Sequence, residues 1–296
     1  MRGAKQTVGI RPPAVAGVFY PHDPQTLRAV LSDCVTGAVK PRPGRRAAAE
    51  VPAAGHLRPK ALISPHAGYV YSGPIAGSAY RALGASRQGI ERVVIVGPSH
   101  FVPLAGLAVS RAEAFETPLG TVPIDDAARS EVLRLPHVVA ADAPHAREHS
   151  LEVQLPFLQL LLGEFRVLPL AAGQATAQEV AAALECFWED EGTLIVVSSD
   201  LSHYLDYAAA CRLDAATAQA ILNYATDLGG EQACGCIGIN GLMHAAHRRG
   251  LRVQLLDLRN SGDTAAGRSS VVGYGAFALY ERGGESGFDS DMAARP

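Results

Sequence analysis

The chain has 296 residues, of which 48% are hydrophobic and 19% are charged, and its formal net charge is −3. This composition is typical of a globular protein rather than a disordered one, and the charge balance gives no signal for nucleic acid or an acidic membrane. The N-terminus lacks an apolar signal segment and no stretch approaches the roughly 20 apolar residues of a membrane span, so we expect a cytoplasmic protein.

From Ala61 onward, short apolar runs alternate with segments of helical periodicity. The apolar runs predict buried strands at 61–64, 92–97, 166–171, 193–198 and 252–258, with further strands at 106–110 and 273–280. The periodic segments predict helices at 24–35, 74–83, 151–162, 178–189, 207–224 and 238–249. This alternation predicts an α/β fold with a mostly parallel or mixed central sheet, covered by helices on both faces, and a ligand site beyond the carboxyl ends of the strands.

Residues 1–282 are predicted to form one domain. Within it, residues 39–60 are rich in proline and show no periodicity, which predicts a flexible insertion. Residues 283–296 are predicted to be a disordered tail.

Three of the predicted strands are followed closely by a histidine: His66, His100 and His203. The carboxyl ends of parallel strands face one crevice, so these imidazoles can converge on a single metal or acid–base site. A structural role is the commoner outcome for any one histidine, but independent structural histidines have no reason to share this position.

Asp200 lies three residues before His203 in the same strand-end segment. It could bind a metal, or accept a hydrogen bond from the ring of a ligand histidine and so orient it. A third interpretation is that Asp200 only caps the following turn or helix.

The five cysteines are scattered and odd in number, which favours reduced thiols in a reducing compartment. Only Cys234 and Cys236 suggest a chemical role, because they lie on a glycine-rich turn before an apolar helix, where the helix dipole favours a thiolate. A single C-x-C pair is weak evidence for a metal site, and small thiols packed in a tight turn remain an equal alternative.

His145 and His149 are four residues apart at the start of a predicted helix, as in metalloproteases, but the glutamate is misplaced and Pro156 interrupts the helix. We therefore reject the protease interpretation. His149 or Glu152 is instead expected to point into the cleft, with a capping role as the alternative.

The segment 115–125 has turn residues at its centre and predicts a hairpin or lid beside the crevice. Tyr69, Tyr71 and Ser72 are expected to contribute hydroxyl groups to a substrate pocket. The sequence lacks the glycine-rich and nucleophile-elbow motifs of nucleotide-binding proteins and serine hydrolases.

The sequence resembles the Memo family from about residue 11 to residue 280. The resemblance is carried, in order, by PAVAGVFYP (13–21), SPHAGYVYSG (64–73), GPSH (97–100), ETPLGTVPID (116–125), EHSLEVQLPFL (148–158), SSDLSHY (198–204) and ACG (233–235). It implies a fold similar to that of class III extradiol dioxygenases, which hold non-haem Fe(II).

Carried over by motif, the resemblance implies that His66, His100 and Cys234 are the metal ligands, that His203 is the acid–base residue, and that Asp200 lies nearby. It favours Cys234 over Cys236 as the ligand and leaves Cys236 in the cleft with an unassigned role. Two imidazoles and a thiolate suit zinc or copper at least as well as Fe(II).

The leading hypothesis is therefore a dioxygenase-like, metal-dependent oxidoreductase that most readily uses Fe(II), with copper or zinc as alternatives. A second hypothesis is a non-catalytic adaptor that binds a peptide in the same cleft, and a third is a protein that sequesters iron or copper. The resemblance also implies AMMECR-domain and radical-SAM proteins as partners.

Overall fold

A computed structural model describes residues 9–37, 58–265 and 267–281. The predicted tail at 283–296 lies outside these residues. So does the predicted insertion at 39–60, except for its last positions, where Pro59 and Lys60 already belong to a strand.

The described residues form twelve strands and ten helices, with a 3₁₀ turn at Gly84–Arg87. The strands are β1 (Ile10–Arg11), β2 (Pro59–Ser64), β3 (Arg92–Pro98), β4 (Leu107–Val109), β5 (Ala114–Thr117), β6 (Gly120–Pro123), β7 (Val138–Ala140), β8 (Arg166–Ala172), β9 (Thr193–Ser198), β10 (His203–Leu205), β11 (Arg252–Asn260) and β12 (Val271–Tyr280). The helices are α1 (Pro24–Thr36), α2 (Tyr69–Arg81), α3 (Asp126–Val132), α4 (Ala143–Ala146), α5 (His149–Glu152), α6 (Leu155–Leu162), α7 (Ala177–Glu185), α8 (Tyr207–Leu222), α9 (Cys236–Arg248) and α10 (Ser261–Thr264).

The central sheet is mixed, as predicted. Its strand order is β10-β12-β2-β9-β3-β8-β4-β7, and β11 pairs with β12. The four strands β2, β9, β3 and β8 run parallel, whereas β12 is antiparallel to β2 and β4 is antiparallel to β8. The parallel centre therefore collects the carboxyl ends of β2, β9 and β3 at one edge of the sheet.

Helices cover both faces of this sheet, because successive side chains of a strand point to opposite sides. In β3, Val93 and Ile95 pack in one core with α1, α2 and α6, while Val94 and Val96 pack in the other with α7 and α9. Each of these fully buried side chains contributes about 1.5–3 kcal/mol of hydrophobic stabilisation. The central strands are thus held rigidly from both faces.

Two predicted helices have different bounds in the structure. The helix expected at 74–83 begins at Tyr69, so Pro74 lies inside the helix rather than in its first turn. The helix expected at 151–162 is divided into α5 and α6, and Pro156 lies in the first turn of α6, where proline is tolerated.

The predicted hairpin at 115–125 is confirmed, since β5 and β6 pair antiparallel. Its predicted position beside the crevice is wrong. Residues 121–123 line a groove with Arg92 and Arg166, which begin β3 and β8, at the edge of the sheet opposite the strand-end histidines. The hairpin is held there because Asp125, which follows it, accepts a hydrogen bond from Arg92 at 2.7 Å.

No helix among the described residues is long and apolar enough to cross a membrane.

Candidate metal site at the strand ends

The strand-end histidines lie at the carboxyl edge of three adjacent strands. His66 follows β2, His100 follows β3, and His203 begins β10 just after β9. All three line a cavity of about 540 Å³, together with His149, Asp200 and Cys234. The parallel register of β2, β9 and β3 is what brings these distant sequence positions to one place.

His66, His100 and His149 form the tightest donor cluster. Their ligating atoms all lie within 4.8 Å of one another. The His66 ring stands edge-on to both others, with centroids 5.3 Å from His100 and 5.4 Å from His149, whereas His100 and His149 stack at 4.7 Å. His149 enters this cluster because it opens α5, which packs against β3.

Cys234 joins the cluster from the turn before α9. Its Sγ lies 3.2 Å from Nε2 of His66, and its backbone N–H donates to the carbonyl oxygen of Asp200 at 3.2 Å. Burial, and then the nearby Asp200, raises the pKa of the Cys234 thiol. In the metal-free protein it is therefore a thiol that can donate to the imidazole nitrogen.

The imidazoles are poised to act as neutral bases or ligands. Burial lowers the pKa of His66 well below its usual value, and the neighbouring His100, His149 and His203 lower it further. Burial also lowers the pKa of His149 and of His203. Neutral imidazole is the form that binds a metal ion, so these rings need not lose a proton first at neutral pH.

Glu148 holds His100 in place. Its Oε1 lies 2.9 Å from Nδ1 of His100, and its Oε2 accepts the backbone N–H of His100 at 2.7 Å. Burial by itself raises the pKa of Glu148, but hydrogen bonds from His100 and from the backbone of Ser150 outweigh it and bring the pKa to about 2. Glu148 is therefore an ionised, buried carboxylate behind one wall of the cluster.

Asp200 joins the loops that carry the other two donors. Its Oδ1 accepts the backbone N–H of His66 at 2.7 Å, while its carbonyl accepts that of Cys234. Burial raises the pKa of Asp200 to about 7. Its carboxylate thus contacts the His66 backbone, rather than a histidine ring or a helix end.

The remaining predicted pocket residues lie differently. Tyr69 donates its hydroxyl to the carbonyl of Val153 at 2.6 Å, and Ser72 donates to that of Ala67 at 2.8 Å. Both are buried, Cys236 packs in the hydrophobic core, and Tyr71 is partly exposed. None of the four is among the described residues that line the cavity.

The sequence interpretation missed Glu148 and Ser198, which contact His100 and His66 from behind, and Gln154, which contacts Ser198. Glu148 and Gln154 lie in the EHSLEVQL segment. Polar residues at the start of a predicted helix were the only sequence signal for these two residues. Of the two residues offered for the cleft, His149 lines the cavity, whereas Glu152 is fully buried and pairs with Arg11 at 2.6 Å. It anchors the N-terminal segment to α5 instead.

Among the described residues, His66, His100 and His149 form a group that could hold one metal ion, and Cys234 contacts this group through His66. Ligands that share an ion at about 2.0 Å for nitrogen and about 2.3 Å for sulfur lie roughly 3–3.6 Å apart, which the contact of Cys234 with His66 already satisfies. Two imidazoles on one ion lie at most about 4.2 Å apart, so the 4.8 Å span of the three-histidine group requires a small closure of the rings.

Comparisons with known proteins agree with this architecture. The family described as Memo-like protein matches residues 11–278. A MEMO1 family protein of Ignicoccus hospitalis is 37% identical over 289 residues, covering 90% of this chain and 97% of that protein. One of Archaeoglobus fulgidus is 37% identical over 281 residues, covering 90% and 97%.

Among solved structures, an uncharacterized protein of Escherichia coli K12 matches with a TM-score of 0.50 and 15% identity, over 74% of this chain and 99% of that chain. At that identity the likeness concerns the fold alone.

Proposed function

Because the chain belongs to the family of Memo-like proteins, we propose that it is a metal-dependent oxidoreductase whose ion is bound by His66, His100 and Cys234. The observation that carries the proposal is the 3.2 Å contact between Sγ of Cys234 and Nε2 of His66, beside a histidine cluster in an open cavity. A partly buried thiol and a buried imidazole at ligand spacing are typical of a metal centre.

We prefer Cys234 to His149 as the third ligand because the family resemblance implies it and because its sulfur lies at ligand distance from a His66 nitrogen. Cys234 is not a member of the group of His66, His100 and His149, so this ligand set requires Cys234 and His100 to move towards a common ion. His149, which stacks on His100, would then form a wall of the substrate pocket.

The ion, which we propose to be Fe(II) with copper or zinc as alternatives, would supply redox and Lewis-acid chemistry at this position. The protein residues around it have separable tasks. His203 lines the cavity with a lowered pKa and is proposed to accept and return a proton of the bound substrate. Asp200 keeps the loops of His66 and Cys234 in register through hydrogen bonds to both backbones.

The cavity volume of about 540 Å³ suits a small-molecule substrate. Two exposed aromatic side chains favour a second candidate, a peptide-binding role that uses the same cleft: Tyr204, which lines the cavity and is 77% exposed, and Phe101, which contacts His100 and is 48% exposed. The AMMECR-domain and radical-SAM partners expected from the family resemblance remain a prediction.

Metal analysis of protein prepared without an affinity tag tests the proposal. We expect about one metal ion per chain in the wild type and in His247→Ala, an exposed histidine on α9, and loss of the metal in His66→Ala and Cys234→Ala. Unchanged metal content in both of the latter variants would contradict the assigned ligands.

Anaerobic loading with Fe(II), followed by O₂-uptake assays on a panel of catechols and thiols, tests turnover. If O₂ consumption depends on the substrate and the His203→Ala variant strongly lowers it, the oxidoreductase is supported. Tight metal binding without turnover on any compound favours metal sequestration, and metal-independent binding of peptides favours the adaptor.

A further inference from the structure

The hydrogen bonds behind the two ligand histidines determine which ring nitrogen of each carries the hydrogen. We propose that residues 148–154 are a positioning element that sets both tautomers, Glu148 acting directly on His100 and Gln154 acting through Ser198 on His66. Each histidine then presents an unprotonated Nε2, which can bind a metal ion, towards the cluster. The inference rests on the proposed function only for its effect on metal binding, since the tautomers are properties of the metal-free protein.

The orientation of the Gln154 amide is the first step. Its nitrogen lies 3.0 Å from the carbonyl oxygen of Pro65, which can only accept, and its oxygen accepts the hydroxyl of Tyr80 at 2.8 Å. These two contacts leave one orientation for the amide. The second hydrogen of the same NH₂ group is therefore directed at Ser198 Oγ, 2.7 Å away.

The hydroxyl of Ser198 is the second step. Its Oγ lies 2.6 Å from the carbonyl oxygen of Ser150, a distance that two oxygens reach only with a hydrogen between them. The one hydrogen of Ser198 is thus given to Ser150, so Ser198 Oγ is an acceptor towards every other neighbour.

The third step reaches His66. Its Nδ1 lies 2.9 Å from Ser198 Oγ, which has no hydrogen left to donate, so Nδ1 must carry the hydrogen. The residues of this relay are each at most 2% exposed, so water cannot replace the hydrogen bonds between them; they are His66, Gln154, Ser150 and Ser198. Nε2 is then the unprotonated nitrogen, and it is the atom that faces Sγ of Cys234.

His100 reaches the same tautomer by a shorter route. The carboxylate of Glu148 can only accept, and its Oε1 lies 2.9 Å from Nδ1 of His100. A carboxylate behind a ligand histidine fixes its ring and raises its basicity, and loss of such a partner costs roughly 10–100-fold in metal affinity. Both effects originate from one short segment, which includes α5 and packs against β3 and β8.

Nitrogen NMR of the metal-free protein, labelled with ¹⁵N in the histidine rings and kept in chelator, tests the tautomers directly. We expect His66 and His100, assigned with His66→Asn and His100→Asn variants, to carry hydrogen on Nδ1. Hydrogen on Nε2 of either ring would overturn the proposal. This measurement needs neither metal nor activity.

The Ser198→Ala variant tests the relay, with Ser202→Ala as its matched control. Among the described residues, the buried Ser202 hydroxyl has no hydrogen-bond partner, so its removal leaves the relay intact. In Ser198→Ala we expect the His66 signals to shift towards the Nε2–H form and the Co(II) affinity to fall roughly 10–100-fold. Identical tautomers and Co(II) affinities in the two variants would overturn the relay.

The Glu148→Gln variant tests the branch to His100 in the same way, because an amide cannot accept from both the ring and the backbone of His100 as the carboxylate does. We expect altered His100 ring signals with unaltered His66 signals, and the reverse pattern contradicts the assignment. If the wild-type protein shows the expected tautomers but binds no Co(II), the positioning element is supported and the proposed function is overturned.

Discussion

The Sγ atom of Cys234 lies 3.2 Å from Nε2 of His66, although 168 positions separate the two residues in the chain. The contact exists because the loop after β2 and the turn before α9 are both hydrogen-bonded to Asp200. This pair supplies two of the three proposed metal ligands.

Cys234→Ala is expected to abolish the sulfur-to-metal charge-transfer band of the Co(II)-loaded protein and to weaken Co(II) binding by about 100-fold or more, since it removes an anionic ligand. Cys236→Ala, which removes a thiol packed in the hydrophobic core, is the control and should retain the band. Ultraviolet absorption during Co(II) titration measures both effects. A band that persists in Cys234→Ala would show that the sulfur is not a ligand.

Gly235→Ala is expected to weaken metal binding without altering any donor atom. A Cβ at this position would lie 2.5 Å from the carbonyl oxygen of Ser198 and 2.7 Å from Cβ of Ser199, so the Cys234 turn must move away from the end of β9. We expect a loss of stability of about 1–3 kcal/mol together with a lower Co(II) affinity. Calorimetric titration and urea unfolding measure the two.

Gly230→Ala is the matched control for this turn, since an added Cβ there has no atom within 4 Å. Equal Co(II) affinities for the two glycine variants would argue against the turn as the element that positions Cys234.

Arg11→Met is expected to destabilise the fold strongly. Arg11 is buried, its Nη1 lies 2.6 Å from Glu152, and the same carboxylate accepts the backbone N–H groups of Ala14 and Val15. Removing the guanidinium leaves a buried, uncompensated charge, which costs about 3–5 kcal/mol. Urea unfolding in chelator measures the loss.

The exposed pair of Arg111 with Asp142 provides the comparison for Arg11. Its atoms are 3.7 Å apart and both side chains are about half exposed, so Arg111→Met should cost no more than about 1 kcal/mol. Similar losses of stability in both variants would mean that the buried Arg11 pair stabilises the fold no more than an exposed ion pair does.

Glu148 should make the stability of the metal-free protein pH-dependent. Its pKa in the folded protein is about 2, below the usual 4.5, because hydrogen bonds from His100 and Ser150 outweigh the opposing effect of burial. A depressed pKa means that its stabilisation is fully present above about pH 4.5 and is lost as the pH falls towards about 2.

We therefore expect Glu148→Gln to cost roughly 1–3 kcal/mol near neutral pH, and the difference from the wild type to shrink on acidification. Urea unfolding midpoints of both proteins between about pH 6 and pH 3 measure this trend. A difference that stays constant across that range would contradict the assigned role of the carboxylate.

Much of the architecture could be predicted from local pattern. The buried strands β2, β3, β8 and β9 could be predicted from apolar runs, because strands covered on both faces need apolar residues on both sides. Since parallel strands end at one edge, the histidines that follow them could be expected to meet there.

The sequence by itself therefore determined the mixed α/β fold and the convergence of His66, His100 and His203 on one cavity. The family resemblance already favoured Cys234 over Cys236, and the sequence offered His149 or Glu152 for the cleft. Only the tertiary structure decided that Cys234 contacts His66, that His149 rather than Glu152 enters the cluster, and that the hairpin lies at the opposite edge. It also revealed Glu148, Gln154 and Ser198, because hydrogen bonds between separate elements depend on how those elements pack. Periodicity records which side of a helix or strand is buried, whereas the partner that covers it is set by contacts between residues far apart in the chain.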